Sequence, residues 1–223
     1  MILAIDTSTQ WMGLAILSDS RIIHEKTWRT YRRHTVELAP AVSQMLLESG
    51  KSMSDIQAAA IALGPGSFTS LRIGLAFVKG LALAQHIPIV GIPSLDIIAT
   101  MQPPSTLPLI CVLPAGRHRL AAAHYIHENN QWQAVQDPYV TTAKKLEASI
   151  PKTTIISGEL TAEDRKTLAR RWKNVILTSP ANSLRRPAYL AEIAWYRLNS
   201  GQSDDPSMLT PIYLHTANTI IKD

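Results

Sequence analysis

One cysteine, two phenylalanines and a charged fraction of only 17% characterise this 223-residue chain by what it does without. A lone Cys111 cannot form an internal disulfide, which excludes a disulfide-stapled secreted scaffold. It sits in the apolar run 107–113, where a buried, inert thiol is expected. No stretch approaches the ~20 apolar residues of a membrane span; the best, 71–84, is broken by Arg72 and Lys79. Five apolar residues before Asp6, without a basic leader, do not make a signal peptide, so a soluble, cytoplasmic protein with no membrane partner is expected. The seven histidines (24, 34, 86, 118, 124, 127 and 215) include no i, i+4 pair, and there is no G-x-S-x-G elbow. Neither a metal site nor a catalytic residue is therefore expected. Low charge beside 46% apolar residues is the opposite of a disordered composition. It also leaves surface free for another protein.

Regular order is plentiful. Three strand-like runs, 2–5, 13–17 and 21–28, are separated by short polar turns and read as a meander. A helix over about 35–49 contains Pro40 and stops at Gly50. A strand at 56–63, a helix over 67–85, a strand at 87–92 and a short helix after Ser94 follow, ending at Pro103-Pro104. The second half repeats the order: strands at 109–112, 120–127 and 132–135, a helix to about Ser149, and a strand at 154–157. Thr161-x-x-Asp164 then has the spacing of a capping box and opens a helix reaching about Trp172. A strand at 175–177 and a helix over 184–198 close the chain. Two units, 1–103 and 104–223, are expected. Each is an α/β unit with a mixed sheet of three antiparallel strands followed by alternating helices and strands, the tandem architecture of the actin, Hsp70 and sugar-kinase superfamily.

Asp6 ends the first strand and is followed by Thr7-Ser8-Thr9. Such a turn can place a metal–phosphate group, or the carboxylate can simply satisfy amides of its own turn. Gly64-Pro65-Gly66-Ser67 joins a strand to a helix, so free helix N–H groups can hold an anion, but no Gly-Lys-Ser/Thr completes a Walker loop. Asp6, Thr7, Gly64, Gly66 and Ser67 are thus the candidates for anion or nucleotide binding. The helix beyond carries two apolar stripes, with Leu71, Leu75, Val78 and Ala82 on one and Ile73, Phe77, Leu81 and Ala84 on the other. A helix apolar nearly all round is covered on both sides, by a second domain or a separate protein. With helix 35–49 it nominates His34, Leu38, Val42, Met45, Leu71, Arg72, Leu75, Val78 and Lys79 as partner-interface residues.

The net charge of +5 is uneven: residues 1–100 carry eight basic and seven acidic residues, and the remainder holds the excess. Arg29, Arg32 and Arg33 form one cluster, and Arg165, Lys166, Arg170, Arg171 and Lys173 another. Either can track phosphates or be a solvated face.

The segments Ile2-Leu3-Ala4-Ile5-Asp6-Thr7-Ser8-Thr9, His34-Thr35, Gly64 through Gly74 and Pro88 through Leu95, with an echo at Pro211-x-Tyr213-Leu214, resemble the TsaB family. The resemblance covers residues 1–100 best. It implies an actin-like paralogue of TsaD that is not itself the catalyst. Such a subunit forms a heterodimer with TsaD through helices 35–49 and 67–85, with TsaE joining. It supports threonylcarbamoyl transfer to N6 of adenosine 37 in tRNAs reading codons that begin with A. The resemblance further implies no cofactor for this chain, with ATP or ADP and metal on the partner subunits, tRNA met through the complex, and a homodimer in isolation. Ser70, Pro114-Ala115-Gly116 and His215 depart from the family's usual glycine, Asp-Ala-Arg and arginine. The competing reading is an active ATP-dependent phosphotransferase of the same superfamily.

Overall fold

A computed structural model of the chain describes residues 1–171 and 173–214. Trp172 and His215 lie outside the described residues, as does the side chain of Arg171. The chain folds as an α/β protein in two compact units, Met1–Ile97 with Arg185–Ile212, and Ile98–Leu184 with the segment from Tyr213 on.

The first unit opens with β1 (Ile2–Asp6), β2 (Trp11–Ser18) and β3 (Arg21–Arg29), then α1 (His34–Glu48), β4 (Ala58–Ala62), α2 (Phe68–Gln85), β5 (Ile89–Ile92) and α3 (Ser94–Thr100). Its five-stranded sheet runs β3-β2-β1-β4-β5, antiparallel among β1 to β3 and parallel from β1 through β4 to β5. Period-two alternation divides the side chains. Leu3, Ile5, Met12, Leu14, Ile16 and Ile61 pack with Leu38, Val42, Met45, Leu75 and Val78 of α1 and α2. Ile2, Ala4, Ala15, Leu17, Ala58, Ala60 and Ala62 face the other way. His86, at φ 55, ends α2 in the left-handed conformation common at helix C-termini.

The second unit contains β6 (Leu109–Pro114), β7 (Leu120–Glu128), β8 (Gln131–Ala134), β9 (Tyr139–Thr141), α4 (Ala143–Ser149), β10 (Thr154–Gly158), α5 (Ala162–Leu168) and β11 (Val175–Leu177). Its six-stranded sheet runs β11-β10-β6-β7-β8, with β9 also paired to β7. β8 and β9 divide one edge of β7, opposite Tyr125–Glu128 and Leu120–Ala122 respectively. Thr142 caps α4, and Thr161 with Asp164 forms the expected capping box on α5. That helix is shorter than the sequence predicts, tightening into a 3-10 turn at Ala169–Arg171.

The last helix, α6 (Pro187–Asn199), corrects both the expected boundary and the expected tandem repeat. A cut at 103/104 assigns it to the second unit, yet Leu190, Ala191 and Ala194 pack on the first sheet with Ala4, Ala15, Ala58, Ala60 and Ala62. The alanines explain the placement, because small side chains on both surfaces let a helix lie close to the strands. A Cβ at Gly13 would stand 3.2 Å from the Pro187 ring. The second sheet also carries a sixth strand, β9, where the sequence reading places no strand. The two units are therefore not copies of one arrangement.

His124 and His127 part to opposite neighbours, as strand geometry requires: His124 stacks on Tyr139 at 5.7 Å and His127 meets Trp132 at 5.2 Å. Burial pushes the His124 ring below its ordinary value of 6.5. The unfolded chain then binds more protons than the folded one just below that value, and stability falls as the pH drops through the window. Unfolding midpoints should therefore decline between about pH 6.5 and 5, and His124→Gln should flatten that slope in thermal melts followed across the range.

Candidate functional site

The end of β1 is the most heavily tied part of the molecule. Asp6, 3% exposed, accepts a hydrogen bond from the Ser8 amide at 2.8 Å and from Arg185 Nε at 2.6 Å. Arg185 is itself 3% exposed, and its Nη2 also reaches Thr9 Oγ1 at 3.3 Å. Asp6 therefore satisfies its own turn and neutralises a buried guanidinium. Sequence reasoning missed Arg185. The 179-residue separation leaves no local signal, and only the need of a buried carboxylate for a cation could have prompted a search.

The glycine segment closes over the same turn. Ser67 N–H donates to Ser8 O at 2.7 Å, and a Cβ on Gly66 would stand 2.1 Å from that oxygen. Ser94 Oγ accepts from the Gly64 amide at 3.0 Å and bonds Ser8 Oγ at 2.6 Å. Gly64, at φ +98, holds a conformation only glycine adopts without strain. Thr7 Oγ1 donates to Ser70 O at 2.8 Å, and a Cβ on Gly74 would stand 2.2 Å from it. The structure thus brings together all five candidate anion-binding residues, Asp6, Thr7, Gly64, Gly66 and Ser67, but engages Asp6 with Ser8 and Arg185, Thr7 with Ser70, Gly64 with Ser94 and Ser67 with Ser8. Ser67 stands at the N-cap of α2 without a side-chain cap bond. These residues do not fit a metal–phosphate group, since the carboxylate is spent on Arg185 and the loop's approach space is filled by Ser8. Among the described residues, no group of three or more His, Cys, Asp or Glu is placed to hold a metal ion.

The nominated interface residues need a sharper correction. Leu38, Val42, Met45, Leu71, Leu75 and Val78 are all buried within this chain, between sheet and helices. His34 is buried too, with Nε2 at 2.9 Å from Thr9 O. Of the nine, Arg72 lies on the outer surface, its guanidinium 3.7 Å from the Phe68 ring centre, and Lys79 is half-buried. Helix α2 is therefore covered on one side only. Its outer side carries Phe68, Ala76, Gly80 and Leu83, and α1 presents Val36, Pro40, Ser43 and Leu47, both at helical spacing. Val36, Leu47, Phe68 and Leu83 are 58, 73, 53 and 78% exposed. Pro40 lacks the N–H that would bond the Val36 carbonyl, so this surface also carries an open acceptor.

Gly80 is the residue that intrachain packing does not explain. A Cβ there would meet nothing within 4 Å, and glycine in a helix interior costs about 1 kcal/mol relative to alanine.

Two mixed sheets with alternating helices define an α/β protein of two units. A solved structure of YeaZ from Pseudomonas aeruginosa superposes with a TM-score of 0.78 over 96% of this chain and 99% of its own, at 22% identity. The family model described as TsaD, tRNA N6-adenosine threonylcarbamoyltransferase, matches residues 22–191. TsaB of Escherichia coli K12 is 40% identical over 94 residues, which are 42% of this chain and 40% of that protein. TsaB of Bacillus subtilis 168 is 38% identical over 98 residues, 44% of this chain and 43% of that one. A tRNA N6-adenosine threonylcarbamoyltransferase of Nitratidesulfovibrio vulgaris is 31% identical over 134 residues, 52% of this chain and 37% of its own. The chain belongs to the family that this model describes, and it is similar to TsaB proteins over a little more than two fifths of its length. The matches span about two fifths of the length of the TsaB relatives.

Arg185→Met should lower the stability of the first unit by about 3–5 kcal/mol in urea unfolding, because it strands a buried carboxylate. Adding Asp6→Asn to it should recover part of that loss rather than deepen it. Gly66→Ala should cost at least about 1–3 kcal/mol, since the new methyl meets backbone.

Proposed function

We propose that this chain is a non-catalytic subunit that docks on TsaD through the outer surface of α1 and α2 and supports threonylcarbamoyl transfer to tRNA. Gly80 carries the reading. An interior helix glycine that nothing in its own chain approaches, set in an exposed apolar stripe, suits close approach of a second helix. Small Ala76 and Ser43 flank larger anchors at Val36, Leu47, Phe68 and Leu83, the mixture that lets helices interlock. The membership of both TsaB and TsaD relatives in one family supports a paralogous pair with similar folds.

The Asp6–Arg185 pair supports the non-catalytic part of the reading. The carboxylate at the end of the first strand, which a phosphotransferase would need for its metal–phosphate group, is neutralised from within. This chain then requires no cofactor, and ATP or ADP and metal belong to the partner subunits. TsaE joins the pair, tRNA is met through the complex, and a homodimer through the same apolar surface forms when TsaD is absent.

The decisive experiment is co-elution with the cognate TsaD. Leu47→Asp with Leu83→Asp should abolish the complex while circular dichroism stays native, whereas Leu75→Asp would report unfolding of the core. Retention of the complex by the double variant would overturn the docking surface. Gly80→Ala should stabilise the isolated chain by about 0.5–1 kcal/mol and yet weaken co-elution. ATP hydrolysis that stays with the purified chain through rechromatography would favour the phosphotransferase reading instead.

A further inference from the structure

The connection between β3 and α1 places Arg29, Tyr31, Arg32 and Arg33 within five residues. All four are exposed, Tyr31 at 73%. The backbone that carries them is held firmly. Thr30 N–H donates to Gln10 O at 2.7 Å, Arg33 N–H to Thr30 Oγ1 at 3.2 Å, and Arg29 Nε to Gln10 Oε1 at 3.0 Å. Arg32 sits at φ 60, a left-handed conformation that a bulky side chain adopts under strain and that persists where surrounding structure enforces it.

The charges and rings alternate. The Arg29 guanidinium lies 5.2 Å from the Tyr31 ring centre, and Lys26 Nζ lies 5.6 Å from that of Trp28. The nearby carboxylates are already engaged. Glu25 pairs with Arg186, and Glu37 accepts from Trp28 Nε1 at 3.0 Å and faces Arg33 at 3.5 Å. The Trp28 bond holds Glu37 below its ordinary range, so it stays ionised beside Arg33. Among the described residues, no carboxylate pairs with Arg29 or Arg32.

Fixed, unneutralised cations suit a phosphodiester backbone. An exposed ring backed by a guanidinium suits a base that has left its stack, and every base offers such a face. Paired RNA keeps its bases stacked inside the helix and offers none. An acidic protein surface would use the cations but not the open face of Tyr31. We infer that the β3–α1 connection is a binding surface for single-stranded RNA, with Arg29 and Arg32 on phosphates and Tyr31 stacked on one base. The inference goes beyond docking on TsaD and rests on the accessory reading only for RNA being at hand.

The test is fluorescence anisotropy of the purified full chain with a labelled RNA hairpin bearing a single-stranded loop, and with the fully paired duplex of the same stem. Between about 50 and 200 mM salt, Arg29→Ala with Arg32→Ala should weaken hairpin binding at least tenfold and lower the salt slope by about 0.7 per contact removed. Tyr31→Ala should weaken it about fivefold or more with the slope unchanged. Lys166→Ala with Arg170→Ala, in the other basic cluster, should leave it as it is, and thermal melts should match the parent throughout. Equal loss from both clusters, equal affinity for duplex and hairpin, or no loss from the arginine pair overturns the inference. Unchanged RNA binding with lost TsaD co-elution would overturn it too, making the loop the rim of the protein interface. Failure of TsaD docking through Leu47 and Leu83 would leave the RNA result standing, so the two readings fail separately.

Discussion

A single buried ion pair organises the first unit. Asp6 and Arg185 meet across 179 residues of chain, each almost wholly removed from water. Such a pair contributes little net stability compared with an apolar pair of the same shape, because both charges give up hydration, but either partner alone is very costly. Its effect is therefore to discriminate between arrangements. Only the packing that brings the chain back to the end of β1 satisfies both charges, and that packing delivers Pro187 against Gly13 and lays α6 on the alanine surface. The same contact withdraws the one strand-end carboxylate from other chemistry. The glycine segment then seals the turn by giving its Ser67 amide to Ser8, and Ser94 ties the two together. What looks in sequence like a phosphate cradle is a closed hydrogen-bonded joint.

With that joint closed, the two surfaces of the first sheet take separate tasks. One is finished internally by α6. The other is covered by α1 and α2, whose inner stripes supply the core and whose outer stripes remain apolar. Small Ser43, Ala76 and Gly80 lie among the larger exposed Val36, Leu47, Phe68 and Leu83. Charge is instead gathered beside them, in the β3–α1 connection, where Arg29 and Arg32 pair with no carboxylate among the described residues. An apolar surface flanked by a basic loop favours a protein neighbour on one and a polyanion on the other.

The legible part of this architecture was local. Apolar runs mark β1, β2 and β4 to within two residues, Gly50 and Gly64 mark helix and strand ends, and Thr161 with Asp164 marks the start of α5. The doubly apolar character of α2 was equally plain. Its orientation was not, because Leu71-Leu75-Val78 and the outer residues differ only in which stripe meets the sheet, and periodicity is blind to that choice. Periodicity therefore nominates core residues for docking rather than the exposed Leu47 and Leu83. β9 was illegible for a different reason: three residues flanked by a proline and a helix cap carry no alternation to read. Arg185 and the sheet chosen by α6 depend on partners more than a hundred residues away. The β4 alanines that receive α6, Ala58, Ala60 and Ala62, are visible in the sequence, but small residues in a strand name no particular visitor.

The return of α6 also reverses the order in which the molecule can be finished. The strands of the second sheet lie within one uninterrupted stretch, 109–177, and can pair as that stretch emerges during synthesis. The first sheet, although it begins the chain, keeps an uncovered alanine surface and an unmatched Asp6 until residues 185–199 arrive. The sheet made first is thus the one covered last, and it waits with one side bare while the second sheet is assembled.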